Sequence, residues 1–269
     1  MKPSRAEQIF NYVILTLFAA FALLPILRVV VLSLQPETIG GEGFLHFENY
    51  AKAWEQGHFS EYMKNSVMVA VLVVTVALIL SLASGYVLGV LRPPGEKILF
   101  FVFLLGIMVP SEAIVLPLFF DMRALGLIDT IWAIALPQIA QSLAFGTFWM
   151  RAFFRGVDGS LIEAARLDGA GNVRILTSIL LPIGLPAVVT QVVLTFMWTW
   201  NDFLIPLVMS PSGTMRTAPL GLAFFQGQYT QGSTLLAAGA VLVALPMVIL
   251  YFILQRHFMS GMTDGAVKG

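Results

Sequence analysis

Residues 66–91 contain no Asp, Glu, Lys or Arg, and this one run limits the fold more than any other feature of the chain. A bilayer's hydrocarbon core is about 30 Å thick, and a helix rising about 1.5 Å per residue crosses it in about 20 apolar residues. Five more segments are long and mainly apolar: residues 10–34, 98–120, 131–150, 183–209 and 235–254. Only 11% of the 269 residues are charged and 58% are hydrophobic, against about 25% charged in a soluble domain. An ordinary soluble enzyme and a disordered chain are thereby excluded. Fifteen basic and fifteen acidic residues cancel, so no net field attracts nucleic acid. The absence of cysteine removes disulfides, thiolate zinc sites and thiol nucleophiles. The sequence predicts an all-α polytopic membrane protein of six spans, forming a single transmembrane domain over residues 1–269.

The first span follows Lys2 and Arg5, as a secretory signal would. It is too long for a signal core and no small-residue cleavage site follows it. Six spans place both termini on one side. That side carries ten basic residues: Lys2, Arg5, Arg92, Lys97, Arg151, Arg155, Arg166, Arg174, Arg256 and Lys268. The other carries four, Lys52, Lys64, Arg123 and Arg216, while Arg28 lies within the first span. The positive-inside rule then predicts cytoplasmic termini. Outside loops fall at residues 35–65, 121–130 and 210–234, and the long inside loop at 151–178.

Ala77, Ser81, Gly85 and Gly89 recur at four-residue spacing along the second span. This small-residue stripe admits close packing, either within the chain or at a subunit interface. Arg28, Glu112 and Asp202, with Gln138 and Asn201 as neutral companions, place polar groups inside spans, where each is costly unless it faces a cavity or a partner. Arg28 and Glu112 also suit the membrane boundary. Trp198 and Trp200 flank Asn201 and Asp202. Indole faces beside amide and carboxylate groups fit the C–H faces and hydroxyl edges of sugars, and equally fit an interfacial aromatic belt. Pro110, Pro117, Pro137, Pro206 and Pro246 predict kinks, or hinges if the spans move.

The loop after the fourth span reads RAFFRGVDGSLIEAARLDGAGNVRILTSILLP. Ser160 stands three residues before Glu163, the capping-box spacing, which predicts a helix from Leu161. Gly169 supplies a left-handed terminator. Two turns are marginal alone in water. The apolar ridge of Leu161, Ala164 and Ala165, with Ile162 beside it, must pack either on its own chain or in a partner's groove.

Glu163-Ala164-Ala165, then Asp168-Gly169, then Ile179, Leu181 and Pro182 resemble the EAA loop of permease subunits in bacterial ABC importers. The WTWNDFLIPL and APLGLAFFQGQY stretches and the QRHFMSGMTDGAVKG end look like carbohydrate-uptake permeases, especially the second subunit of maltose-type and glycerol-phosphate-type systems. The resemblance implies that the loop is a coupling helix seated in a groove of a cytoplasmic ATPase. It also implies a homologous second permease, two ATPase subunits and an extracytoplasmic solute-binding protein as partners. Gly221, Phe224, Phe225, Gly227 and Tyr229 then form a mobile aromatic tip that meets the binding protein. Gly261, Gly265 and Lys268 belong to a flexible tail at the ATPase interface.

No Gly-x-x-x-x-Gly-Lys-Ser/Thr phosphate loop occurs, so ATP and magnesium are expected on a separate chain. His46, His58 and His257 have no metal-ligand spacing, and no Gly-x-Ser-x-Gly elbow occurs. The expected function is that of half an ATP-driven carbohydrate pathway. Rival readings are an ion-driven carrier using Glu112 and Asp202, or a membrane enzyme or scaffold without transport.

Overall fold

The computed structural model describes residues 4–37, 43, 45–226 and 233–266, with backbone alone at 226 and 257–266. Among the described residues the chain is helical, without strands. It packs as two compact units, Met1–Glu61 with Gly221–Leu245, and Tyr62–Leu220 with Pro246–Gly269.

In the first unit, α1 (Arg5–Ser33) opens with a reciprocal cap. Ser4 Oγ accepts from the Glu7 amide at 3.3 Å, and Glu7 Oε2 accepts from the Ser4 amide at 2.6 Å. The amide of Asn49, on α2 (Glu48–Gln56), donates to the Ser33 and Gln35 carbonyls at 2.9 Å each. Buried Asn49 thereby ends α1 and fixes α2. Phe59, fully buried, begins α3 (Phe59–Tyr86). A Cβ on Gly57 or Gly221 would lie 2.7 Å from its ring, so both positions exclude larger residues.

In the second unit α3 ends in a π-helical turn, Val87–Leu91, closed by left-handed Arg92 (φ 47°). The third predicted span is broken. α4 (Glu96–Met108) and α5 (Ser111–Ala124) meet at a 98° bend. At 13 residues, α4 is about 20 Å long, short of the hydrocarbon core. Pro110 favours the break, because it disfavours the helical region for the preceding residue, and Val109 is extended at φ −76°, ψ 119°.

α6 (Ile131–Arg155) is continuous through Pro137. After the loop helix α7 (Gly159–Leu167), α8 (Asn172–Arg174) runs through a π-helical stretch, Ile175–Leu180, into α9 (Leu181–Ile183). The fifth predicted span starts within this segment, which meets α10 (Leu185–Asn201) at an 83° bend. The span breaks again at extended Asp202 before α11 (Leu204–Met209). Pro206 has no N–H to return to the Asp202 carbonyl, so a continuous helix would lose that bond. α12 (Ala218–Gly221) leads through a 3₁₀ turn, Leu222–Gln226, to residues 227–232, which lie outside the description. α13 (Ser233–Ala266) closes the chain. Among the described residues, four helices are long and apolar enough to span a bilayer, or up to six spans if each bent pair counts as one.

The small-residue stripe packs within this unit. Ala77 and Ser81 are fully buried. A Cβ on Gly85 would sit 2.7 Å from Met150 Cβ, and one on Gly89 would sit 3.0 Å from Phe154 Cβ. One apolar core joins Val69, Val73 and Ile134 to Ile205 and Met209, and a second joins Tyr86, Met150 and Phe154 to Ile175 and Leu180.

Candidate functional site

Two regions of the second unit gather the residues singled out by sequence. In the loop, α7 forms as expected but starts two residues early. Asp158 is its cap, accepting the Ser160 amide at 3.0 Å, and Ser160 lies exposed inside the first turn. Asp158 has the correct side chain one residue before the helix, and the Ser160–Glu163 spacing masked it. Hydrogen bonds from the Ser160 backbone and side chain hold the Asp158 carboxyl below its ordinary range.

The C-terminal end follows expectation. Gly169 has φ +79°. Its amide donates to the Arg166 carbonyl at 3.0 Å and the Ala170 amide to the Ala165 carbonyl at 2.9 Å. Together these are the two bonds of a Schellman motif. Asp168 is the exposed residue before the turn.

The apolar ridge divides between two directions. Ile162 and Ala165 turn inward onto Tyr86, Met150 and Phe154, while Leu161, Ala164 and Glu163 stay exposed. Leu167, absent from the predicted ridge, is 90% exposed, and Val173 is 76% exposed. Ile179 and Leu181 pack half-buried against the same core, and Pro182 is exposed. Inward packing thus holds the helix while a second apolar face stays open. Tyr86 Oη donates to Asn172 Oδ1 at 3.0 Å, and Trp149 Nε1 donates to the Ala187 carbonyl at 2.9 Å. Glu96 Oε1 pairs with Arg155 at 2.6 Å and lies 3.9 Å from Arg151. The Arg151 guanidinium stacks 3.7 Å over the Phe100 ring.

The second region is a cavity of about 420 Å³ between α4, α5, α6 and α10, lined by Glu112, Gln138, Gln141, Trp198, Thr199 and Asp202 among others. A neighbouring open chamber shares Glu112, Gln141, Trp198 and Asp202 with it and adds Asn201. Gln138 Nε2 donates to Asp202 Oδ2 at 2.7 Å, and Asp202 Oδ1 accepts from the Ile205 amide at 3.2 Å. Asp202 therefore caps the short helix beyond the break while facing the cavity. Trp198 is half-exposed and meets Phe145 edge-on, 4.8 Å between centroids.

Trp200 does not join it. Two helical residues on, it points about 200° away, buried and stacked on Phe196 at 5.3 Å. Its predicted pathway role gives way to a core role. Gln141 and Thr199 were missed, although Gln138, Gln141 and Phe145 fall at i, i+3 and i+7 on one helix face.

The predicted docking tip is reshaped. Gly221 is buried against Phe59 in the first unit, a packing position rather than part of a mobile loop. Phe224 is 46% exposed and meets His58 edge-on at 5.4 Å, and Phe225 is half-buried. Gly227 and Tyr229 lie outside the described residues. The tail also differs from expectation, since the backbone at Gly261 and Gly265 is helical within α13. Lys268 lies outside the described residues.

Residues 81–264 match the family described as the inner membrane component of binding-protein-dependent transport systems. The chain is 34% identical to the trehalose transport system permease protein SugB of Mycobacterium tuberculosis, over 94% of this chain and 95% of that one. It is 34% identical to the arabinooligosaccharides transport system permease protein AraQ of Halalkalibacterium halodurans, over 94% of each. Among solved structures it resembles a chain of a bacterial ABC transporter involved in import of the acidic polysaccharide alginate. That match has a TM-score of 0.78 and 25% identity, covering 96% of this chain and 99% of that one.

Proposed function

The chain belongs to the inner-membrane components of binding-protein-dependent transport systems, and on that premise we propose that it forms half the pathway of an ATP-driven carbohydrate importer. The reading draws its cargo class from relatives named for trehalose, arabinooligosaccharide and maltodextrin transport. Its partners are a second permease, two cytoplasmic ATPase subunits and an extracytoplasmic solute-binding protein. The ion-driven carrier and the scaffold have no support in this membership.

One observation carries the coupling role: α7 is anchored by Ile162 and Ala165 yet leaves Leu161, Ala164 and Leu167 exposed. A two-turn helix fixed by its own chain is pre-organised, so an ATPase groove need not order it on binding. Closure of the ATPases on ATP moves α7, and the movement passes through Tyr86 and the Ile175–Leu180 stretch into the spans. Glu112, Trp198, Asn201 and Asp202 line this subunit's share of the pathway. Both termini face the cytoplasm, and exposed Phe224 lies in the segment that meets the binding protein.

The experiment is uptake of radiolabelled trehalose, maltotriose and arabinotriose in a deletion strain carrying the wild-type gene. Uptake should collapse when arsenate depletes ATP and survive an uncoupler. Uptake that instead tracks the proton gradient overturns the reading.

A further inference from the structure

Resting on the importer reading, we propose that the cavity between α4, α5, α6 and α10 is a sugar half-site selective for uncharged saccharides, rejecting phosphorylated or uronic cargo. Two of its lining side chains are almost fully buried yet have unmet hydrogen-bonding atoms. Gln138 is 4% exposed and its Oε1 has no partner among the described residues; Thr199 is 6% exposed and its Oγ1 has none among them. Gln141 Nε2 is also buried and unpaired. Buried polar atoms are normally satisfied, and these three line one cavity.

The unmet groups are an amide acceptor, an amide donor and a hydroxyl, which can do both. A sugar hydroxyl both donates and accepts, so it matches all three. A phosphate or carboxylate only accepts, and can use the donors alone.

Charge points the same way. Glu112 and Asp202 line the cavity and the adjoining chamber, and among the described residues no Lys, Arg or His lines either. Gln138 Nε2 is already committed to Asp202, so it is not free to receive an anion. An anionic cargo would meet two carboxylates with no cation in the lining, a like-charge arrangement that selects against it. Trp198 adds an indole face, half-exposed at the cavity, for the C–H side of a sugar ring.

The test compares a deletion strain with the same strain expressing the wild-type chain or variants. Probes are radiolabelled trehalose, maltotriose and arabinotriose, against glucose 6-phosphate, glycerol 3-phosphate and a guluronate trisaccharide. Restored ATP-dependent uptake should be confined to neutral probes. Gln138→Ala and the near-isosteric Thr199→Val should each raise KM for the restored neutral cargo about ten-fold, with normal membrane abundance and unchanged assembly with the ATPase. ATP-dependent uptake of an anionic probe by the wild type overturns the proposal and leaves the importer reading standing. An unchanged KM in both variants overturns the half-site. Restored uptake that follows the proton gradient overturns the importer reading itself, and the proposal with it.

Discussion

At the scale of single residues, the ends of α7 make opposed tests. Asp158→Ala removes the side chain that accepts the Ser160 amide and should cost a few-fold in ATPase assembly, in line with the loss of a helix cap. Ser160→Ala should cost less, because it removes only a side-chain bond to Asp158 and keeps the backbone amide that Asp158 caps. Co-purification of the ATPase with each variant decides between them. The Asp158 carboxyl titrates below its ordinary range, so its contribution is present above the unfolded value near pH 3.9 and is lost as pH falls through the folded one. Amide exchange across α7, corrected for intrinsic rates, should stay flat from pH 7 to about pH 5 and accelerate below about pH 4. Gly169 tests conformation alone, since a Cβ there meets nothing within 4 Å. Gly169→Val should strain the left-handed turn by about 1–2 kcal/mol, and Gly169→Asn by less. Uptake should therefore rank wild type, then Asn, then Val. An equal rate in all three would mean that the turn does not matter to coupling.

At the scale of elements, Gly146 on α6 faces Ser81 of α3 and Gln191 of α10. A Cβ there would clash with Ser81 Oγ and Gln191 Nε2. Gly146→Ala should destabilise the membrane domain by about 1–3 kcal/mol through overpacking, read as a lower melting temperature in detergent, while Gly159→Ala should leave it unchanged, because that Cβ meets nothing among the described residues and the backbone there is not left-handed. The spans were legible because hydropathy integrates over many residues, so small errors average out. Their breaks were not, because each depends on the backbone around one residue. Pro117, Pro137 and Pro246 sit inside continuous helices, whereas the chain breaks at Val109–Pro110 and four residues before Pro206. A proline marks a weak point in a helix, and packing decides whether the helix gives way there. The cavity was half legible for a similar reason. Trp198 and Asp202 attracted notice by residue type, but adjacent polar and aromatic letters do not say which face they share. Trp200 went to the core, and Gln141 and Thr199 entered the cavity unannounced.

For the whole molecule, the ten-to-four distribution of basic residues sets the orientation to be tested. The chain has no cysteine, so single Ser4→Cys and Ser212→Cys variants report without background. In intact cells an impermeant maleimide should modify Ser212→Cys and spare Ser4→Cys; the reverse pattern would invert the topology. The two broken spans also have a mechanical meaning. α5 and α11 pack on each other, and each is joined to its preceding helix through extended backbone, at Val109–Pro110 and at Asp202. The paired segments thus form a lever arm that can turn without bending a helix. At 14 residues, α5 is about 21 Å long, so a swing of about 10° at its base carries its far end about 4 Å. A displacement of that size at the far end of α5 needs only torsion about a few backbone bonds, with every helical hydrogen bond kept.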